Sequence, residues 1–320
     1  MKGIEISIGR VCNNDCLFCG NGENGPDKPA KWADADAVIS EIGEASRAGY
    51  DSIGFLGGEI TVYPGAMRIL DASRDAGFKR IMICTNGRRF EDAGLLDKFL
   101  GAGVTRISLS IHSHEAAVEN YLNNRKDAFR QKEAAIRNCV AAEKAGRIAD
   151  GFSLNACIHG LNWKVLAEGA AFFRSLGVRD IRYNSLRPDR KALNNRELVP
   201  RFTDVMEAIV ALIVANEKSL HMTVTFGDIP LCVWPETFLR QARLARNYVG
   251  ELRDLDTSVT VLATESKPTD RFKWKERKVG MLKQYMEQCK TCAANAACEG
   301  VWTDYVDIYG VGEFRPIKGR

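Results

Sequence analysis

Long apolar runs are scarce in this 320-residue chain, and the longest, AIVALIVA at Ala208–Ala215, is too short to cross a bilayer. The opening MKGIEISIGR lacks the apolar core of a secretory signal, so the ten cysteines are not read first as disulfides of an oxidising compartment. Charge of one sign is not in large excess either. With 45 Lys and Arg against 41 Asp and Glu the net charge is +4, which gives no reason to expect a nucleic-acid partner. There is no internal repeat and no low-complexity segment. These absences point to a cytoplasmic protein with no membrane partner, and its 45% apolar content suffices for the core of one large domain or two unequal ones. Basic residues do concentrate at Arg182–Arg201, a stretch suited equally to a solvated loop face and to anion binding.

What is present is an alternation of two patterns. Short β-branched or apolar runs at 4–8, 52–56, 80–84, 105–111, 152–158 and 178–183 predict six strands. Segments of helical period lie between them, several closing on a glycine just before the next strand, at Gly49, Gly77, Gly103, Gly146 and Gly177. Strict alternation predicts an α/β fold with a parallel sheet, either doubly wound or an incomplete barrel. In both, chemistry sits at the carboxyl ends of the strands.

Each predicted strand delivers a polar or glycine-bearing cluster to that rim. Strand one runs into VCNNDCLFCGNG, which holds Cys12, Cys16 and Cys19 at spacing C-x3-C-x2-C. Structural zinc sites usually use two C-x2-C-like pairs, so a triplet leaves the tetrahedron incomplete. A thiolate-held iron-sulfur cluster with one iron lacking a protein ligand suits the spacing better, with zinc and scattered core cysteines as the alternatives. The following strands lead to Gly57-Gly58-Glu59-Ile60, to CTNGR with Asn86, to SLSIHSH with Ser108, Ser110, His112 and His114, to IHGLN, and to NSLRP with Arg187.

The combination Cys12-x3-Cys16-x-Phe18-Cys19 after strand one with Gly57-Gly58-Glu59 after strand two resembles the radical S-adenosylmethionine (SAM) superfamily, over roughly the first 215 residues. The resemblance implies a partial (β/α)6 barrel of parallel strands, here 1–217. It also implies a [4Fe-4S] cluster on the three cysteines, its open iron chelated by SAM, and a 5′-deoxyadenosyl radical that abstracts hydrogen from an unactivated carbon. An external one-electron reductant of flavodoxin or ferredoxin type is the implied partner. As SAM contacts the resemblance suggests Phe18 beside the adenine, the backbone of Gly57 and Gly58 close to the ligand, and Glu59 accepting from the ammonium group. Asn86, Ser108 or Ser110, and Asn155 would complete the set. Cys157 is a candidate hydrogen-atom donor and His112 or His114 a candidate catalytic group, whereas Cys84 and Cys139 read as small core residues.

Late in the chain Cys289, Cys292 and Cys298 form C-x2-C-x5-C, followed by Gly300, with a lone Cys232 upstream. This resembles the auxiliary-cluster region of SPASM and twitch radical SAM enzymes. The cysteine count fits the one-cluster twitch form in a region 218–320, with Cys232 as fourth ligand to a second [4Fe-4S] cluster and a zinc knuckle as the alternative. The leading expectation is an enzyme acting on a ribosomal peptide or small polar natural product. Because strand one begins at Ile4, no leader-recognition domain is expected before it, and a peptide would need a separate recognition partner or direct docking. A nucleotide or phosphorylated substrate, as in molybdopterin-precursor synthesis, is the alternative, supported by Arg182, Arg187 and Arg190 but not by the ending RPIKGR, which lacks that family's GGG. A non-catalytic iron-sulfur regulator is the reading from another class.

Overall fold

The expected helix-ending glycines at 49, 77, 103, 146 and 177 all take positive φ, between 72° and 106°, so each helix turns tightly into the next strand. The computed structural model describes residues 1–20, 31–253, 257–262 and 269–319. Asn21 and Gly22 of the cysteine motif lie outside the described residues.

All six expected strands form: β1 (Gly3–Ser7), β2 (Ser52–Leu56), β3 (Arg80–Thr85), β4 (Arg106–Ser110), β5 (Phe152–Ile158) and β6 (Asp180–Ser185). Between and after them lie α1 (Ala35–Arg47), α2 (Ala66–Asp75), α3 (Ala93–Gly101), α4 (Ala116–Asn123), α5 (Ala128–Lys144), α6 (Leu166–Ser175) and α7 (Phe202–Ala215). Three further strands extend the sheet: β7 (Thr223–Gly227), β8 (Thr257–Val261) and β9 (Asp270–Lys273). The order among the described residues is β7-β6-β5-β4-β3-β2-β1-β8-β9, parallel throughout except for the antiparallel β8–β9 pair. The sheet thus has nine strands where the sequence pattern predicts six. The stretch after residue 217 is joined to the barrel by three of them.

Consecutive parallel order with right-handed crossovers puts every helix on one face and leaves the other face to curl inward. Period-two alternation sorts the side chains accordingly. Ile4 and Ile6 of β1, Ile81 and Ile83 of β3, Ile107 and Leu109 of β4, and Leu154 and Ile158 of β5 are buried in the layer between sheet and helices. The opposite face carries Glu5, Ser110, Asn155, Cys157, Arg182 and Asn184. Register places Ser110 beside Asn155, Asn155 beside Arg182, and Cys157 beside Asn184. The C-terminal part adds a small antiparallel pair, β10 (Lys283–Gln284) and β11 (Val301–Trp302), and a helix at Thr303–Tyr309. That helix docks on the start of α7, where the Phe202 N–H donates to the Tyr305 hydroxyl at 2.9 Å and the two rings lie 4.4 Å apart. Among the described residues no helix is long and apolar enough to cross a membrane.

Candidate active site

The three clustered cysteines occupy the loop leaving β1, and what holds that loop explains the glycines after β2. The Gly58 N–H donates to the Gly9 carbonyl at 2.6 Å and the Glu59 N–H to the Val11 carbonyl at 2.9 Å. A Cβ on Gly57 would lie 2.4 Å from the Gly9 oxygen, and one on Gly58 2.1 Å from the Val11 oxygen. Gly57 also sits at φ 114°. Glycine is therefore required here by the backbone of the cysteine loop itself, and not by ligand approach alone as the sequence suggests.

Glu59 likewise serves the loop as well as facing the cavity. Its carboxylate is almost wholly buried and accepts from the Thr61 N–H (3.0 Å), the Thr61 hydroxyl (2.7 Å), the Thr85 hydroxyl (2.6 Å) and the Asn86 N–H (2.6 Å). Four donors from its own turn and from the end of β3 bind it, three at Oε1 and one at Oε2, so it locks the turn while it also lines the cavity. Asn86 continues that chain, donating to Asn13 Oδ1 at 2.6 Å, with its Nδ2 3.5 Å from Cys12 Sγ. Arg88 and Arg125 grip the loop from its other side, donating to the Asn13 carbonyl at 2.8 and 2.9 Å.

Cys12, Cys16 and Cys19 line one cavity of about 460 Å³. Phe18, Gly57, Gly58, Glu59, Asn86, Ser110, His112, Asn155, Cys157 and Arg187 line the same cavity, so the structure brings together most of the residues singled out from the sequence. Phe18 packs edge-on against His112, ring centroids 4.8 Å apart. Ser108 is two residues deeper on β4, paired with Cys84 and Ser153, and does not line the cavity; of the two serines Ser110 is the one that does. Cys84, expected in the core, is a lining residue, while Cys139 is buried on α5 as expected. His114 is not on the cavity and packs near Phe172. Of the three arginines, Arg187 lines the cavity. Arg182 lies below it, donating to Asn184 Oδ1 at 2.9 Å, and Arg190 is not among the lining residues.

His112 is held for structure more than for proton transfer. Its Nδ1 accepts the Cys157 N–H at 3.1 Å, which puts the ring proton on Nε2, and burial pushes its pKa down to about 3. Burial also pushes the Cys157 and Cys16 thiols up to about 12, and at Cys16 the Lys132 ammonium opposes the rise.

The site also holds residues that pattern reading passed over. Lys132 and Glu119 form a fully buried ion pair at 2.6 Å beneath the cysteine loop, joined by Asn123. Asp228, at the end of β7 with φ 60°, lines the cavity. Lys283 lies 3.1 Å and Lys278 3.6 Å from its carboxylate, and both lysines also approach Glu299. Burial raises the Asp228 pKa, but these lysines outweigh it and hold the group below the usual range. No motif encloses these residues. An acid in the left-handed region and a lysine on the inward face of a helix declare themselves only once the chain is folded.

Cys232, Cys289, Cys292 and Cys298 line a second, smaller recess together with Leu231, Tyr285 and Phe314. Backbone N–H groups point at the sulfurs, Ile317 to Cys292 Sγ at 3.3 Å and Gly300 to Cys298 Sγ at 3.4 Å. Gly300 adopts φ 82°, and a Cβ there would lie 2.7 Å from the Gln284 carbonyl oxygen.

A parallel sheet curled around a polar lumen, with a three-cysteine loop at the carboxyl end of its first strand, defines the class of cysteine-ligated barrel enzymes whose chemistry sits on that rim. The model of the radical SAM superfamily matches residues 6–168, and the chain belongs to that superfamily. It is 32% identical over 186 residues to a probable GTP 3′,8-cyclase of Aeropyrum pernix, covering 54% of this chain and 49% of that protein. It is 28% identical over 119 residues to a probable GTP 3′,8-cyclase of Sulfolobus acidocaldarius, covering 37% and 36%. The chain thus spans about half or less of the length of these relatives. Among solved structures it is similar to Streptococcus suis SuiB bound to S-adenosylmethionine, with TM-score 0.65 and 12% identity over 98% of this chain and 76% of that one. Native anSMEcpe with bound AdoMet gives TM-score 0.65 and 12% identity over 99% and 93%. At these identities the likeness is one of fold.

Membership implies a [4Fe-4S] cluster and SAM, and three soft sulfur donors on a loop fixed by Asn86, Arg88, Arg125 and the glycine turn fit such a cluster. When bound, the pair supplies one-electron reductive cleavage of the sulfonium and the radical that follows.

Proposed function

We propose that this chain is a radical SAM enzyme whose substrate is a nucleotide or another phosphorylated small molecule, from which hydrogen is abstracted at an unactivated carbon. The observation that carries this reading is the 32% identity, over 186 residues, to a protein named as a probable GTP 3′,8-cyclase. The peptide reading drawn from the sequence has support only from structures 12% identical, whose likeness concerns the fold, and it is set aside in favour of the nucleotide.

Arg187 supports the choice chemically. Its guanidinium stacks over Trp302 at 4.7 Å, and its Nε lies 3.4 Å from Asp189 without hydrogen-bond geometry. A planar fork fixed by stacking at the rim of a cavity suits bidentate contact with a phosphate. Cys12, Cys16 and Cys19 would hold the SAM-binding cluster, and Ser110, Asn155 and Phe18 would orient SAM. Glu59 and Asn86 would hold the loop. Cys232, Cys289, Cys292 and Cys298 would hold a second [4Fe-4S] cluster, a reading supported by their convergence on one recess and by the N–H donors aimed at their sulfurs.

The test is incubation of the reduced, reconstituted protein with SAM and a panel of deuterated substrates. Deuterium from a nucleoside triphosphate should appear in 5′-deoxyadenosine. Transfer from a peptide and none from any nucleotide or sugar phosphate would defeat the proposal.

A further inference from the structure

Lys132 carries a charge into a place that solvent does not reach. Its side chain and that of Glu119 are both 0% exposed. The ammonium lies 2.6 Å from Glu119 Oε1 and donates to Asn123 Oδ1 at 2.9 Å. That same Asn123 oxygen accepts from Asn14 Nδ2 at 2.6 Å and lies 3.5 Å from Cys16 Sγ. One shared acceptor therefore separates the ammonium from a cluster cysteine. The carboxylate is turned to the other side, where Glu119 Oε2 accepts the N–H groups of His112 (2.8 Å) and Ser113 (2.9 Å). Lys132 and Asn123 line the reaction cavity and Glu119 does not.

A buried ion pair costs several kcal/mol per ion to desolvate, and well-packed apolar residues of similar volume often stabilise a fold as well or better. Folding stability alone is thus a weak reason for this pair, and its position supplies a better one. We propose that Lys132 is a positioning residue whose fixed charge raises the reduction potential of the iron-sulfur site on Cys12, Cys16 and Cys19, while Glu119 limits the rise.

Uptake of one electron makes that site more negative by one charge. A cation beside it stabilises the reduced state more than the oxidised one, and an anion does the reverse. Arg88 and Arg125 also lie at the loop, but they are partly solvent-exposed and screened, whereas Lys132 is not. His112 is held neutral by burial, and the Glu59 and Asp228 carboxylates that share the cavity are left unchanged in the variants compared below. The ion pair is therefore an oriented dipole with its positive end toward Cys16, built into the wall of the cavity before any ligand arrives.

This inference rests on the cluster assignment, and its test keeps the two apart. The parent chain and its Lys132→Met, Lys132→Arg and Glu119→Gln variants would be reconstituted anaerobically and assayed for iron and sulfide. They would then be titrated at pH 6.5, following the part of the electron paramagnetic resonance signal that SAM perturbs. The midpoint potential should fall in Lys132→Met, rise in Glu119→Gln and stay near the parent's in Lys132→Arg, at equal iron content. Shifts of the same sign in Lys132→Met and Glu119→Gln, or unmoved potentials at full iron loading, would overturn the inference. Should Lys132→Met fail to fold, the nearly isosteric Glu119→Gln decides, since a lowered or unchanged potential there contradicts it. A parent chain that takes up no iron defeats the cluster assignment, and this inference with it.

Discussion

The Glu59 carboxylate accepts the Asn86 N–H at 2.6 Å, and Asn86 in turn donates to Asn13 between the first two cysteines of the loop. The turn after β2, the end of β3 and the cysteine loop are thereby one hydrogen-bonded unit. Glu59→Ala leaves four buried donors short of an acceptor, at roughly 1 to 3 kcal/mol for each that water cannot reach. The expected outcome is a lower unfolding midpoint and poor retention of iron by the first cysteine set. A variant that keeps full iron and stability while losing SAM affinity would return Glu59 to the role of a direct ligand contact.

Gly58→Ala should be more damaging than its size suggests. The new methyl would lie 2.1 Å from the Val11 carbonyl oxygen, and the loop has to shift to admit it. We expect a loss of about 1 to 3 kcal/mol, the usual range for overpacking, together with weakened cluster binding. Urea denaturation and iron analysis of the purified variant provide the check.

Replacing Cys12, Cys16 and Cys19 together with Ala should halve the iron content, from about eight to about four per chain for two four-iron clusters, and abolish SAM cleavage. A triple variant that still yields 5′-deoxyadenosine would refute the assignment.

Cys232→Ala addresses the second set. With Cys232 as fourth ligand, the variant should lose second-cluster iron or alter its paramagnetic signal, while uncoupled SAM cleavage at the first site continues. An unchanged signal would mean that Cys232 merely packs beside Cys289, Cys292 and Cys298, leaving one iron without a protein ligand.

Glu5 gives a pH-dependent prediction. It sits on the inward face of β1 near Gly54 and Met82, and burial raises its pKa to about 7. The folded chain thus holds a proton that the unfolded chain releases near the ordinary value of 4.5, so stability falls as pH rises from about 4.5 to about 7. Glu5→Gln removes the titration. It should match the parent near pH 4.5 and exceed it at pH 8, as read by urea denaturation at both. An identical pH slope in the two proteins would contradict the assignment.

Much of this was readable before folding, for physical reasons that differ by feature. The first six strands and the capping glycines follow from period and turn chemistry, because RIMICT or FSLNACI can satisfy alternation in only one way. The cysteine sets stand out because C-x3-C-x2-C and C-x2-C-x5-C are spacings that ligand sets use. β7 and β8 were equally available in principle, since TVTFG and TSVTV alternate and are β-branched, but they follow the apolar helix α7 and lack the regular helix-then-glycine punctuation of the earlier units. Lys132, Glu119 and Asp228 were not legible, because their meaning depends on neighbours distant in sequence. Asp228 meets Lys283, and Lys132 reaches the loop at Cys16 through Asn123. The reason for Gly57 and Gly58 was half legible: the spacing marks them, but the carbonyls they must clear belong to residues 9 and 11.

The pairing of β1 with β8 has a consequence in time. Ile4 and Ile6 begin the barrel, yet the strand that covers their outer edge is Thr257–Val261. A ribosome making this chain releases β1 at residues 3–7 and supplies its second neighbour only at residues 257–261. Until then the strand that feeds the cysteine loop keeps one row of backbone groups unpaired, a template for association with another nascent chain.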